Sequence, residues 1–296
     1  MKLTFIGLGN MGLPMANNLV KAGYNVIGYN RSKGAEQRFL EEGGSTAASL
    51  AEAAAEADII MTCLPMPRDV LDVYLGSNGI IEHAKHGALL IDFSTVSPEV
   101  NRKTAQAANE KGLRFLDAPV SGGTVGAAAA TLSIMVGGSK QDYDEAQPVL
   151  RRLGSNIYYV GETGSGTVVK LVNQLMVGIH SQAASEALLL GERLGVKQEL
   201  LFSILDNSFA QSRIMDRHYS QFIAKDSYTA GFAIKLLHKD VQLAKEMAAE
   251  HHISIPLGEE IFHILSAAEA SGLADKDMSA IYVHHKNNQL LHHKGE

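Results

Sequence analysis

The strongest constraint on this chain is an alternation that stops. From residue 1 to about residue 160, short β-type runs alternate with helix-type runs, and after Val160 the β-type runs cease. The β-type runs are Lys2–Ile6, Asn25–Tyr29, Ile59–Thr62, Leu89–Asp92, Arg114–Ala118, Leu132–Val136 and Ile157–Val160. Amphipathic segments such as Gly12–Lys21, Ala35–Glu42, Pro98–Lys111 and Asp142–Arg152 lie between them. Continuously apolar strands separated by helices predict a parallel, doubly wound sheet covered on both faces. The second half of the chain reads as helices: Thr167–Leu194, Gln198–Asn207, Ile214–Ala224, Ala233–Glu250, Leu257–Ser271 and Met278–Leu291. At 296 residues, two domains is the natural expectation.

The first turn of the alternation carries Gly7-Leu8-Gly9-Asn10-Met11-Gly12, after one strand-type run and opening a helix-type run. A dinucleotide fingerprint requires that context. Gly7 allows a tight turn, Gly9 lets the backbone approach a pyrophosphate, and Gly12 lets helix and strand pack closely. The helix N-terminus then meets the phosphate charge. The fold expected is α/β: a Rossmann-type doubly wound domain over residues 1–162, then an all-α domain over residues 163–296. The second strand ends in Asn30-Arg31-Ser32. An acid there would bind the ribose 2′-hydroxyl of NAD. No carboxylate stands there to repel a 2′-phosphate, and Arg31 can pair with one bidentately, so NADP rather than NAD is expected. The bland alternative for Arg31 is a solvated surface side chain.

Two more strand-type runs end in Cys63-Leu64-Pro65 and Asp92-Phe93-Ser94-Thr95, where open α/β sheets bind ligands. Ser121-Gly122-Gly123 offers a hydroxyl and unobstructed N–H groups, a concavity suited to an anion and otherwise a plain turn. The run Gly164–Leu194 is apolar nearly all round, which suits a buried helix roughly 40 Å long. Lys170 and Asn173 share one face of it. A lysine in such a helix calls for an explanation, either catalysis or snorkelling to water.

Composition excludes several function classes. The net charge of −6 without a basic cluster argues against a nucleic-acid partner. No apolar run approaches a membrane span, and no signal peptide is visible. The sole cysteine, Cys63, reads as a small buried hydrophobe in a reducing, cytoplasmic setting. The neighbouring histidines His251-His252, His284-His285 and His292-His293 point apart on a helix; they read as solvated surface, and no metal site is expected.

These pieces together resemble the β-hydroxyacid dehydrogenase family, of 3-hydroxyisobutyrate dehydrogenase and tartronate semialdehyde reductase type, with 6-phosphogluconate dehydrogenase as a larger relative. The resemblance covers nearly the whole chain. It rests on Phe5–Gly12, Asp92-Phe93-Ser94-Thr95, Asp117-Ala118-Pro119-Val120-Ser121-Gly122-Gly123, Gly164-Ser165-Gly166 with Lys170 and Asn173, and Lys239-Asp240. It implies that Lys170 is the catalytic lysine and that Ser121, Gly122, Gly123 and Asn173 hold the substrate carboxylate and hydroxyl. Leu64, Pro65, Thr95 and Lys239 match cofactor-contacting positions, and an Asn-Arg pair at 30–31 goes with NADP. Two departures stand out. Gln174 replaces a second asparagine, which puts that substrate contact in question, and Ala130 replaces a glycine.

The implied enzyme is an NAD(P)-dependent oxidoreductase acting on a CH–OH group. It would interconvert a small anionic 3-hydroxy acid and its aldehyde acid, as 3-hydroxyisobutyrate dehydrogenase or 2-hydroxy-3-oxopropionate reductase does. Alternatives are reduction of succinic semialdehyde, glyoxylate or a sulfonate analogue, an imine reductase, and a non-catalytic NADP-binding scaffold. The last two usually lack the lysine. Apolar faces on Gly164–Leu194, Leu257–Leu265 and Ile281–Leu291, together with the resemblance, imply a homodimer or homotetramer through the helical domain.

Overall fold

The computed structural model describes residues 1–292. In chain order the elements are β1 (Lys2–Ile6), α1 (Gly12–Lys21), β2 (Asn25–Tyr29), α2 (Lys33–Glu41), β3 (Ser45–Thr46), α3 (Leu50–Ala55), β4 (Ile59–Thr62), α4 (Pro67–Leu75), α5 (Ile80–His83), β5 (Leu89–Asp92), α6 (Pro98–Glu110), β6 (Arg114–Asp117), β7 (Val120–Ser121), α7 (Gly123–Ala129), β8 (Leu132–Gly138), α8 (Lys140–Leu150) and β9 (Gly154–Gly161). Helices come next: α9 (Ser165–Arg193), α10 (Gln198–Asp206), α11 (Arg213–Gln221), α12 (Ile234–Glu250), α13 (Pro256–Ala268) and α14 (Ile281–His292). The chain forms two compact units, Met1–Lys170 and the part from Leu171 on, so their boundary falls inside α9.

The first unit is the doubly wound fold the sequence predicts. Its sheet order is β3-β2-β1-β4-β5-β6-β8, with β1 parallel to both β2 and β4. Alternate strand residues feed two cores. Leu3, Phe5, Ile59, Met61, Leu89, Ile91 and Leu116 belong to one cluster, and Ile6, Ile60, Leu90 and Phe115 to another. Burial on both faces is why these strands are apolar at most positions instead of alternating, with Thr4, Thr62, Asp92 and Asp117 as buried polar exceptions. At the far edge, β8 runs antiparallel to β6 and β7, while β9 pairs with it in parallel. Pro119 lacks an N–H and breaks what would be one strand into β6 and β7. Its carbonyl still accepts a hydrogen bond from Met135 N at 3.0 Å. The two-residue strands β3 and β7 carry too short a pattern to read from sequence. Ala130 ends α7 in the left-handed region, φ 55°, where glycine is favoured.

The second unit is helical among its described residues, apart from two isolated bridges, Thr229 to Lys276 and Ala233 to Asp277. Its main core joins Ile234, Leu237 and Val241 of α12 to Ile261 and Leu265 of α13 and Ile281 of α14. Asp277, fully buried, accepts two hydrogen bonds from Arg217, at 2.9 and 2.7 Å. It also accepts from the N–H groups of Gly231, Phe232 and Ser279, tying α11 to the segments before α12 and α14.

The helix α9 is enclosed only in part: Val168, Val169, Val172, Met176 and Leu190 are exposed, because the remaining helices cover only its other flank. One sequence expectation is corrected. His284 and His285 are not a solvated surface pair. His284 is buried at 6% exposure, and His285 Nε2 lies 2.7 Å from Gln182 Oε1. Burial pulls both rings below the usual histidine range. His251 and His252 are exposed as expected, while His293 lies outside the described residues. Among the described residues, no three His, Cys, Asp or Glu side chains converge as metal ligands would, and no helix is long and apolar enough to cross a membrane.

Candidate active site

The glycine turn lies where the strand order reverses, between β1 and β4. Ligands of such sheets bind at this switch point, beyond the carboxyl ends of the strands. Gly7 has φ +93°, and a Cβ on it would stand 2.4 Å from the Cys63 carbonyl oxygen at the end of β4. A Cβ on Gly12 would stand 1.9 Å from the Gly7 carbonyl oxygen. Neither position admits a side chain. A Cβ on Gly9 would meet nothing within 4 Å, so its absence leaves open space above the helix terminus. This pattern fits a dinucleotide pyrophosphate seated on the N-terminus of α1. Asn10 is exposed, Met11 half-buried and Leu8 fully buried.

Asn30 braces this turn. Its Oδ1 accepts from Leu8 N at 2.9 Å, and its Nδ2 donates to Ser32 O and Oγ, both at 3.1 Å. Arg31 projects into solvent, with only a 3.5 Å contact to Asp69. Ser32 is exposed. The structure also brings up a carboxylate that the sequence reading does not anticipate. Glu36, buried on α2, accepts from Asn30 N at 2.9 Å and pairs with Lys33 at 2.7 Å. Residue 30 itself is uncharged, but the space behind it is not.

The next two loops are tied together by a buried aspartate. Asp92 Oδ1 accepts from Thr62 Oγ1 at 2.7 Å and from Ser94 N at 3.0 Å. Ser94 Oγ in turn accepts from Leu64 N at 2.9 Å. The segments holding Leu64, Pro65 and Thr95 are therefore fixed by one network at the carboxyl ends of β4 and β5. Thr62 also shares a 2.8 Å hydrogen bond with the buried Tyr74 hydroxyl, whose pKa is raised chiefly by burial.

Ser121 ends β7 half-buried, and Gly122 and Gly123 continue exposed with positive φ, 135° and 62°. Their N–H groups open α7. Lys170, on the second turn of α9, is buried at 6% exposure. The start of α9 is held by Asp117, which accepts from Gly164 N at 2.6 Å and Thr167 N at 2.9 Å.

The second unit holds the other predicted residues. Asn173 is half-buried, and its Nδ2 donates to Gln174 Oε1 at 3.0 Å. Gln174 is buried, and its Nε2 donates to Asp240 Oδ2 at 2.6 Å. Lys239 lies 2.8 Å from Asp240 Oδ1. Asn173, Gln174, Asp240 and Lys239 thus form one continuous chain. Asp92, Asp117 and Asp240 lie inside motifs readable in the sequence, but what they hold becomes visible only in three dimensions.

Comparison with known proteins divides the chain a few residues earlier, just before α9. Residues 2–161 match the NAD binding domain of 6-phosphogluconate dehydrogenase. Residues 164–284 match the NAD-binding domain of NADP-dependent 3-hydroxyisobutyrate dehydrogenase. The chain is 40% identical to 2-(hydroxymethyl)glutarate dehydrogenase of Eubacterium barkeri, over 95% of this chain and 93% of the relative. It is 37% identical to 3-hydroxyisobutyrate dehydrogenase of Pseudomonas aeruginosa, over 95% and 98% of the two chains. Among solved structures it resembles the Mycobacterium tuberculosis 3-hydroxyisobutyrate dehydrogenase with L-serine. That match has 34% identity and a TM-score of 0.87, over 95% of this chain and 97% of the other.

Proposed function

We propose, from the premise that this chain belongs to the β-hydroxyacid dehydrogenase family, that it interconverts a small 3-hydroxy acid and its aldehyde acid with NADP(H). Membership makes it an oxidoreductase acting on a CH–OH group with a nicotinamide dinucleotide. The observation that carries the rest is Lys170, a basic side chain buried on α9 one turn before Asn173. At 6% exposure Lys170 does not snorkel to water, which favours the catalytic reading of this lysine.

When bound, the nicotinamide cofactor supplies or accepts the hydride, held by Gly7–Gly12 with Asn30, Arg31, Ser32, Leu64, Pro65, Thr95 and Lys239 as further contacts. In oxidation Lys170, as the neutral amine, accepts the hydroxyl proton. In reduction, as the ammonium, it returns a proton to the carbonyl oxygen. Ser121 and the N–H groups of Gly122 and Gly123 hold the carboxylate. Asn173 orients the oxygen that exchanges the proton. Gln174 acts behind Asn173, its amide engaged with Asp240.

The relatives' compounds support a substrate class. 3-Hydroxyisobutyrate, 2-(hydroxymethyl)glutarate and L-serine share the skeleton HOCH2–CH(R)–COO−. The two segments Ser121–Gly123 and Lys170–Asn173 supply what that skeleton needs, an anion site and a proton-transfer site. The test is a panel of aldehydes with NADPH, read at the nicotinamide absorbance. Methylmalonate and tartronate semialdehydes, which keep the skeleton, should outpace succinate semialdehyde, glyoxylate and a sulfonate analogue. Lys170→Ala should lower turnover by about 10²–10⁴-fold, the usual worth of a positioned acid–base group, with NADPH affinity little changed. Near-normal turnover in that variant defeats the assignment of Lys170.

A further inference from the structure

We infer that Asp117 is a positioning residue for the reaction: it clamps the first turn of α9 and so fixes where Lys170 stands. The inference rests on the reading of Lys170 as the proton-transfer group. Gly164 occupies the cap of α9, since its carbonyl accepts the first helical hydrogen bond, from Val168 N at 3.0 Å. A helix cap commonly receives its acceptors from nearby in sequence: the cap side chain takes the N–H three residues on, and the residue there reaches back to the cap N–H. Here the cap is a glycine and the third helical residue is Thr167, whose hydroxyl accepts from Asn101 Nδ2 at 2.6 Å. Asp117 fills both roles from a strand 47 residues away, one oxygen on Gly164 N and the other on Thr167 N.

The surroundings leave the carboxylate one place to be. A Cβ on Gly137, its register partner on β8, would stand 2.5 Å from Oδ1. A Cβ on Gly166 would stand 2.9 Å from Oδ2 and 2.2 Å from the Met135 carbonyl oxygen. Each oxygen therefore has one N–H donor and one glycine pressed against it. Asp117 is buried at 1% exposure, and its neighbour on β5 is the fully buried Asp92. Burial pushes the Asp117 carboxyl up, the N–H groups of Gly164 and Thr167 pull it back, and Asp92 pushes it up again. A carboxylate buried in that way is a poor means of gaining stability. It is a good means of fixing a helix, because charge-assisted bonds are short and directional. Lys170 comes three residues after Thr167, so a tilt of the first turn moves its amine directly.

The variant Asp117→Asn keeps the shape, loses the charge and turns an N–H donor toward a backbone N–H. Turnover of methylmalonate semialdehyde with NADPH should fall about 10²-fold, the cost of misplacing a reacting group by about 1 Å. The NADPH dissociation constant, by fluorescence titration, should stay near that of the wild type, and the thermal midpoint should fall only as far as one lost buried hydrogen bond requires, leaving the protein folded at the assay temperature. Equal losses in turnover, NADPH binding and thermal midpoint would make the role structural and overturn the inference. Turnover within twofold of wild type would overturn it as well. Lys170→Ala, run alongside, separates the two readings: its activity judges the lysine, and that of Asp117→Asn judges the clamp. Should Asp117→Asn not fold, Asp117→Ser, which can still accept one of the two bonds, is read by the same split. Hydrogen exchange on the unmodified protein needs no variant. The Gly164 and Thr167 amides should be strongly protected, and loop-like exchange there also overturns the clamp.

Discussion

Arg31 extends into solvent, with only a loose contact to Asp69, and so can close on a 2′-phosphate without breaking anything of value. Asn30 is not free in the same way, since its side chain braces Leu8 N and Ser32. Asn30→Asp combined with Arg31→Ala should therefore shift preference from NADP(H) toward NAD(H). It should also lower overall efficiency, because the carboxylate keeps the bond to Leu8 N but faces the Ser32 carbonyl with no proton to give. The check is kcat/KM with each cofactor in both proteins. Equal efficiency with the two cofactors in the unmodified protein would sink the claim. At this scale, much is legible in the sequence. Gly7, Gly9 and Gly12 announce themselves by spacing; a Cβ would clash at Gly7 and Gly12 and would enter open space at Gly9. Glu36 is not legible: six residues on from Asn30, it looks like an ordinary helix acid until α2 turns it inward. Gln174 shows the converse. As a departure from the family pattern it invites a reading as a substrate contact, while its bonds to Asn173 and Asp240 are seen only in the fold.

Elements are more legible than the bonds between them. The strands β1, β2, β4 and β5 fall on their predicted limits, because burial on both faces writes a continuous apolar run. The mixed pairing around β8 is hidden, because it depends on a proline interrupting a strand and on pairings only two residues long. The packing of α11 on α9 is hidden too, and it has a consequence in pH. His218 on α11 is fully buried, with its Nε2 3.0 Å from Ser181 Oγ on α9 and its Nδ1 beside Arg217. Burial, then the Arg217 charge, lowers its pKa from 6.5 to about 3, with Asp277 opposing. Unfolded chains take up a proton on this histidine near pH 6.5, but the folded protein does not until about pH 3. Stability is therefore lost as pH falls from 6.5 toward 3, by up to about 1.4 kcal/mol per unit from this group. The thermal midpoint should drop over that window, and His218→Gln should flatten the drop even if its midpoint starts lower. Parallel slopes in the two proteins would show that other groups carry the acid sensitivity.

For the molecule as a whole, the open question is what covers α9. On this helix Val169, Val172 and Met176 are exposed at 40%, 49% and 51%, and Leu190 at 62%. Ala183 and Ala187 are exposed between them. Spacings of three, four and, from Met176 to Ala183, seven residues place all of these on one stripe, the arrangement of a helix–helix seam. Leu200, Ile204 and Phe209, around α10, are exposed as well. Single exposed apolar residues need no explanation, but a continuous apolar stripe along a long helix is the signature of a surface that meets protein. A second copy of the same chain supplies a matching stripe at no extra complexity, most simply through a two-fold axis. We therefore expect a homo-oligomer with a dimer as its smallest unit and α9 in the interface. Light scattering after size exclusion at micromolar concentration should give a mass near twice the 31.8 kDa of one chain, or a higher even multiple. Replacing Val172 and Met176 together by glutamate should move the mass down to that of one chain, since it buries four like charges across a two-fold seam. A mass of 31.8 kDa for the unmodified protein would mean that the stripe stays in water. An unchanged oligomer in the double variant would place the interface elsewhere than on α9.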